Sequence, residues 1–182
     1  MIYGKKINLR LMKMEDLEWY ITDYNNLSER GHYWSFNFLS IEKYKRDLAE
    51  NNCWSKEWGN MLIVDKQDEI LGTIAFFKPS DYQTGLEIGY KIHKKKNRGK
   101  GYGSEALLLF SAYLFASKPI NRLEINAAKD NIASFRIAEK CGFQYEGTMR
   151  KAVYFNGKEH DLVKYSLLKD ESPLLHDLIQ KE

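Results

Sequence analysis

Gly99, Gly101 and Gly103 stand at alternate positions in NRGKGYGSEALLLF, residues 97–110, with the cations Arg98 and Lys100 set among them. Glycine reaches φ > 0 and admits close backbone approach, at an entropic cost that an ordinary loop avoids, so this spacing points to a guest molecule. The Leu- and Ala-rich run over 104–116 is strongly helix-forming and sets the glycines at a helix start. Unpaired N–H groups and the positive end of the helix dipole favour an anion there, and Arg98 and Lys100 add mobile charge. The chemistry expected of this stretch is the holding of a phosphate.

Two familiar phosphate loops do not match. The pattern GxxxxGK[ST] is absent, and the glycines read GxGxG instead of GxGxxG, with the polar HKKKN between them and the preceding apolar segment. Asp130 lies after the next predicted strand, where a ribose-binding acid would stand, which leaves dinucleotide binding as a minor alternative.

The elements that must position this loop follow from periodicity. Ile7, Leu9 and Leu11 alternate with Lys6, Asn8 and Arg10, which predicts a half-buried strand. Amphipathic helices are predicted within 14–25 and 41–51. Strands follow in MLIVDK, ILGTIAFFK and GLEIGYKI, separated by turn-formers such as Asp65 and KPSD, an antiparallel meander. Beyond the glycine loop come a strand in NRLEINAA and a helix within 132–141 that stops at Gly142. Two more strands, in FQYEGTMRKAVYF and HDLVKYSLLK, join across NGKE, whose Asn-Gly pair signals a hairpin. A helical turn is expected after Pro173. This order predicts an α/β fold: a mixed sheet, largely antiparallel, with a central strand–helix–strand crossover and helices on both faces. With no repeat, low-complexity run or linker, residues 1–182 read as a single domain with a short C-terminal tail over 170–182.

The 182 residues carry a net charge of +3, too slight to argue for nucleic acid, and most of the excess lies in KIHKKKNRGK, residues 91–100. No aromatic residues interleave these lysines, which argues further against a nucleic-acid partner. Lys94, Lys95 and Lys96 read as a solvated loop. Cys53 and Cys141 form no CxxC pair, and His32, His93, His160 and His176 show no metal spacing, so neither a disulfide framework nor a metal is expected. MIYGKKINLRLM carries charge where a signal peptide needs an apolar core, and ALLLFSAYLFA is too short to span a bilayer. A cytoplasmic protein with no membrane partner is expected.

GLEIGYKIHKKKNRGKGYGSEAL, followed by NRLEINAAKDNIASFRIAEKCGFQYEGTMRKAVYFNGKEHDLVKYSLL, resembles the GNAT superfamily of N-acetyltransferases, specifically its RimJ/RimL-like branch. The likeness covers most of the chain, strongly over 86–168 and compatibly over 7–78. RGKGYG alone is a weak signal; followed at family spacing by NIAS, EKCGF and YFNGKEHDLVKYSL it is highly specific. The resemblance implies a GNAT-like mixed sheet and acetyl-CoA as cosubstrate. The main chain of Arg98, Gly99, Lys100, Gly101, Tyr102, Gly103 and Ser104 would wrap the pyrophosphate. The strand bearing Tyr90 and ending at Ile92 would pair its backbone with the pantetheine arm, which Asn131 would also contact. The N–H of Ile92 or a neighbour would hold the carbonyl oxyanion.

Acetyl transfer from a thioester to an amine needs a neutral amine and a proton for the departing thiolate. An amine of pKa ~10 must therefore lose a proton to a carboxylate or an ordered water chain. Glu87 is the leading base, since the resemblance sets its strand beside the acetyl group; alternation turns it away from Leu86, Ile88 and Tyr90. An exposed strand carboxylate is the equal alternative, and Glu124 or a water chain is the fallback. Ser134 matches the serine that these enzymes place near the cofactor sulfur, while Ala138 replaces the tyrosine acid found one turn on in many relatives. The acid is therefore Ser134, water or none. Asn131 and Ser134 also fit a plain helix cap. Tyr33, Trp34 and Phe36, in the aromatic-rich first third, are candidates for an amine pocket, with core packing as the simpler reading of most rings there. The expected activity is direct transfer, in a ternary complex, to a primary amine of a protein N-terminus or small molecule. The alternative is a non-catalytic acyl-CoA sensor. A monomer or homodimer is expected.

Overall fold

A computed structural model describes residues 1–28, 31, 33 and 37–180 of the chain. Its strands are β1 (Ile2–Tyr3), β2 (Asn8–Leu11), β3 (Trp58–Val64), β4 (Ile70–Phe77), β5 (Leu86–Ile92), β6 (Arg122–Ala128), β7 (Gln144–Phe155) and β8 (Lys158–Leu168). They form one sheet in the order β1-β2-β3-β4-β5-β6-β8-β7. Every pairing is antiparallel except β5 with β6. A parallel neighbour needs a crossover, and α3 (Tyr102–Ser117) supplies it. The sheet is therefore the expected mixed one, and a doubly wound dinucleotide fold is ruled out.

Helices cover both faces. α1 (Leu17–Asn25) and α2 (Ile41–Asn51) pack on one; α3 and α4 (Ile132–Lys140) pack on the other, where α5 (Leu175–Leu178) closes against α3. β3 shows why its second half, MLIV, is apolar without interruption: Met61 and Ile63 enter the core under α3, while Leu62 and Val64 enter the core under α1 and α2. α3 is apolar nearly all round because it is buried nearly all round. At the β7–β8 hairpin, Asn156 and Gly157 have φ of 50° and 77°, as a type I′ turn demands.

Strand β2 departs from its expected half-burial. Leu11 is 38% exposed, whereas Arg10, on the face expected to be wet, is only 6% exposed. The reason is the second helical layer, which covers that face too. Arg10 is accommodated by charge: its guanidinium grips Asp16 at 2.6 and 3.0 Å and reaches Asp68 at 2.7 Å. Burial alone would raise the Asp16 carboxyl, but bonds from Arg10 and the Lys13 N–H outweigh it and hold the group below its ordinary value.

Removing one partner leaves the other charge buried, so Asp16→Asn is expected to cost about 3–5 kcal/mol in urea unfolding. Asp68→Asn, at a half-exposed carboxylate, should cost under about 1 kcal/mol. Because the folded pKa of Asp16 is depressed, its contribution is complete above the unfolded value of about 3.9 and fades as pH falls through the folded one. Equal midpoints for the two variants would refute the assignment.

Candidate active site

The two strands beside the glycine loop part company. β5 and β6 pair only at Leu86–Leu123 and Glu87–Glu124, although β5 runs on to Ile92 and β6 to Ala128. The His93 N–H bonds Leu71 O at 3.0 Å, which sets the alternation along β5. Glu87, Gly89 and Lys91 exchange hydrogen bonds with β4, so the peptide groups of Tyr90 and the N–H of Ile92 turn to the side that β6 has vacated. An unpaired strand edge of this kind is a template for an extended guest.

The wedge opens into a cleft of about 370 Å³ that gathers Tyr33, Glu87, Tyr90, Asn126, Asn131 and Ser134. Parity divides its walls. Leu86, Ile88, Leu123 and Ile125 belong to the core under α3 and α4, so Tyr90 points to that side; Glu87 and Asn126 lie on the α1/α2 side.

On the α1/α2 side, Asn126 Nδ2 donates to Glu87 Oε2 at 2.7 Å. Burial pushes the Glu87 carboxyl up to about 7; the Asn126 bond opposes this, the Glu124 charge adds to it and Lys164 subtracts. Glu87 is thus no plain exposed carboxylate. Glu124, the fallback, does not line the cleft: it is 3% exposed, and its two oxygens are taken at 2.7 Å by Arg122 Nε and Lys164 Nζ.

On the opposite side, the Tyr90 hydroxyl lies 3.2 Å from Ser134 Oγ and 3.1 Å from Ser134 O. Burial holds this phenol well above its ordinary pKa, so it keeps its proton. Ala138 is fully buried. A tyrosine hydroxyl therefore does reach Ser134, from the neighbouring strand instead of the next turn of helix. Asn131 caps α4, its side chain accepting from the Ser134 N–H at 3.4 Å, so the cap reading holds for its oxygen while the residue also lines the cleft.

The glycine loop sits beyond the end of β5. Gly99 and Gly101 have φ of 75° and 88°, and Gly101 is the N-cap of α3. At Gly103 a Cβ would come within 3.2 Å of Ile137 Cδ1, so the bare backbone is what lets the first turn of α3 close on α4. The carbonyl side of the loop is tied down, Lys100 O by Lys6 Nζ at 3.2 Å and Gly101 O by the Glu105 N–H. The N–H groups of residues 99–104 find no acceptor among the described residues. Such a row of free amides at a helix start fits a diphosphate. Arg98 corrects the expectation of mobile charge: its guanidinium donates to Ile92 O at 3.1 Å and His93 O at 3.2 Å, fastening the loop to the strand end. Lys94, Lys95 and Lys96 are exposed.

Tyr33 stands at the mouth, its hydroxyl donating to Asp130 O at 3.0 Å and its ring edge-on to Phe155. Trp34 and Phe36 lie outside the described residues. Most other aromatic residues of the first third do pack: Tyr20, Trp19, Tyr24 and Trp58 in the α1/α2 core, Trp54 on Phe76 and Phe110. Cys53 and Cys141 are buried thiols that burial pushes up to about 11, poor nucleophiles both. Among the described residues no group of His, Cys, Asp and Glu could hold a metal ion, and no helix is long and apolar enough to cross a membrane.

Sequence reasoning missed Asn126 and the Tyr90 side chain. Alternation from Glu124 to Asn126 was the available signal for the first; nothing local indicates that the Tyr90 hydroxyl meets α4.

The acetyltransferase (GNAT) domain family matches residues 6–144. The uncharacterized N-acetyltransferase p20 of Bacillus licheniformis is 29% identical over 174 residues, covering 93% of this chain and 97% of its own. The ribosomal-protein-serine acetyltransferase of Escherichia coli (strain K12) is 27% identical over 135 residues, 73% of this chain and 75% of its own. The crystal structure of spermidine N-acetyltransferase from Vibrio cholerae, in complex with CoA and spermine, has a TM-score of 0.75 at 20% identity, covering 91% of this chain and 97% of that one. At that identity the likeness is one of fold.

A raised pKa has a consequence for stability that needs no substrate. The folded chain keeps the Glu87 proton after the unfolded chain has released it, so stability falls as pH climbs from the ordinary value of 4.5 to about 7 and levels off above. Glu87→Gln is expected to remove that slope, gaining on the order of 3 kcal/mol at pH 8 and little at pH 4. Thermal melts at the two pH values check this; an equal effect at both would place the carboxyl in an unperturbed setting.

Proposed function

This chain belongs to the GNAT acetyltransferase family, and from that premise we propose that its wedge moves the acetyl group of acetyl-CoA directly to a primary amine within a ternary complex. The observation that carries this reading is Glu87, a carboxyl poised near pH 7 in the cleft where the unpaired edge of β5 ends at a row of free amides. The amides of residues 99–104 would hold the diphosphate, and the open edge of Tyr90 and Ile92 would pair with the pantetheine arm. Acetyl-CoA supplies the thioester, whose carbonyl carbon accepts the new C–N bond and whose sulfur leaves with the C–S electron pair.

Glu87 takes one proton from the ammonium, freeing the nitrogen lone pair for attack. The Ile92 N–H, turned into the wedge, is the donor available to the carbonyl oxygen. Ser134 presents its hydroxyl to the sulfur. In this arrangement Tyr90 stays protonated and donates to Ser134 O at 3.1 Å, so its oxygen is left to accept from the Ser134 hydroxyl until that proton turns to the thiolate. The second amine proton ends on sulfur, by way of Ser134 or solvent, and closes the balance. On this reading Glu124 positions β6 through its two ion pairs and takes no proton.

The acceptor is a protein N-terminus or a small-molecule amine. The named relatives, a ribosomal-protein acetyltransferase and a spermidine acetyltransferase, span both kinds. Tyr33 would form part of its entrance, with Trp34 and Phe36 proposed beside it.

Thiol release against a panel of peptides and polyamines tests the reading. Glu87→Gln should lower turnover by about 10²–10⁴-fold without weakening CoA in calorimetry. Wild-type rates should fall tenfold per pH unit below about 7, the limb set by Glu87. Gly101→Val, which forces a side chain onto φ of 88°, should weaken CoA more than tenfold. CoA binding with no turnover on any amine would instead identify a sensor.

A further inference from the structure

Gly59 in β3, Gly72 in β4 and Gly89 in β5 all keep a backbone that any residue could adopt. Two of them are glycine because packing demands it. A Cβ at Gly59 would come within 2.6 Å of the Phe76 and Trp54 rings, and one at Gly72 within 2.2 Å of Lys91 O. Gly89 has no such reason: apart from its chain neighbours, a Cβ there would meet a single atom among the described residues, Phe77 Cε1, at an ordinary 3.7 Å. Nor does it mark a bulge, since the β4–β5 ladder passes it without a shift of register. Glycine inside a strand costs stability and forgoes a side chain that could pack. With packing, φ and bulge set aside, the close approach of a guest is the remaining use for it.

The open position at Gly89 has a definite place in the cleft. Gly89 lines the cleft and is partly exposed. Alternation along β5 puts the missing side chain on the face of Glu87, the α1/α2 side, about 7 Å along the strand. Phe77, paired with Glu87 across β4, lines the cleft beside it. Ser134 meets Tyr90, whose side chain is on the other face. The peptide groups of Gly89 are spent on β4, so no main chain is offered to the cofactor arm at this point.

We propose that Gly89 is a specificity-determining residue, whose open position receives the substituent on the carbon that bears the acceptor nitrogen. The site then prefers a primary amine on a branched carbon to one on an unbranched CH2. This rests on the reading of Glu87 as the base. A nitrogen at about 2.9 Å from that carboxyl, with the two bonds beyond it, covers the spacing to Gly89. The bare backbone leaves room there for one side-chain-sized group, and the Phe77 ring edge gives it an apolar contact. An unbranched amine leaves that room unfilled. One methyl group in a fitted apolar space changes kcat/KM by about 10–200-fold.

The test uses the full chain and two hexapeptides of otherwise identical sequence that begin with alanine or glycine, and so differ by the methyl group at issue. Wild type should take the alanine peptide with a kcat/KM at least tenfold higher. Gly89→Ala puts a Cβ where that methyl would lie. It should melt no lower than wild type, keep the acetyl-CoA KM within twofold and erase the preference, while Gly89→Val should hinder both peptides. A wild-type ratio near one, a preference that survives in Gly89→Ala, or an effect of that variant on the acetyl-CoA KM instead overturns the proposal. If wild type acetylates neither peptide, the reading of the site as a transferase falls, and a binding measurement still decides the role of Gly89. Its amide signal is then followed by NMR while the CoA-saturated chain is titrated with alaninamide and with glycinamide. Alaninamide should bind at least tenfold more tightly to wild type and lose that advantage in Gly89→Ala; equal affinities in wild type, or no response, overturn the proposal.

Discussion

Two rungs of parallel pairing hold β5 to β6, and the site follows from the fact that there are no more. Had the ladder continued, the peptide groups of Tyr90 and the N–H of Ile92 would be consumed by β6, and the space between Glu87 and Ser134 would be closed. Parting the strands leaves a seam through the sheet whose one lip is main chain with hydrogen bonds to give. Because parallel neighbours require a crossover, the helix that follows β5 begins at the mouth of the same seam. The free amides of residues 99–104 and the open strand edge are therefore consecutive parts of one surface.

Glu87 and Glu124 show how local charge separates like residues. They stand opposite each other on adjacent strands and face the same helical layer. Glu124 meets Arg122 and Lys164 and is a structural anion. Glu87 meets a neutral amide and a wall of low polarity, and burial leaves it undecided between its two protonation states near neutral pH. The loop beyond β5 divides its labour similarly, with carbonyls fastened by Lys6 and Arg98 and amides left free.

Periodicity carried most of the architecture. The seven longer strands, the four longer helices and the single parallel step all follow from alternation, helix formers and the Asn-Gly turn, because each signal is local. β2 shows the limit. Alternation there reads as one wet face, but a strand covered on both sides obeys the layer above it, and Arg10 is buried with its own counter-ions. Arg98 shows another: a cation beside a phosphate loop reads as a ligand for the anion, whereas its guanidinium satisfies carbonyls left over at a strand end.

By itself the sequence determined the order of elements and the glycine-bearing helix start, since these depend on neighbours along the chain. It also named Glu87 and Ser134, through family likeness. Tertiary structure alone decided that burial shifts Glu87 while Glu124 meets two cations, that the Tyr90 hydroxyl comes to Ser134 across 44 positions, and that Asn126 meets Glu87 across 39. The physical reason is that pKa and hydrogen-bond partnership are set by solvent exclusion and by atoms within a few ångströms, and those atoms arrive from distant parts of the chain only when the sheet closes over its core.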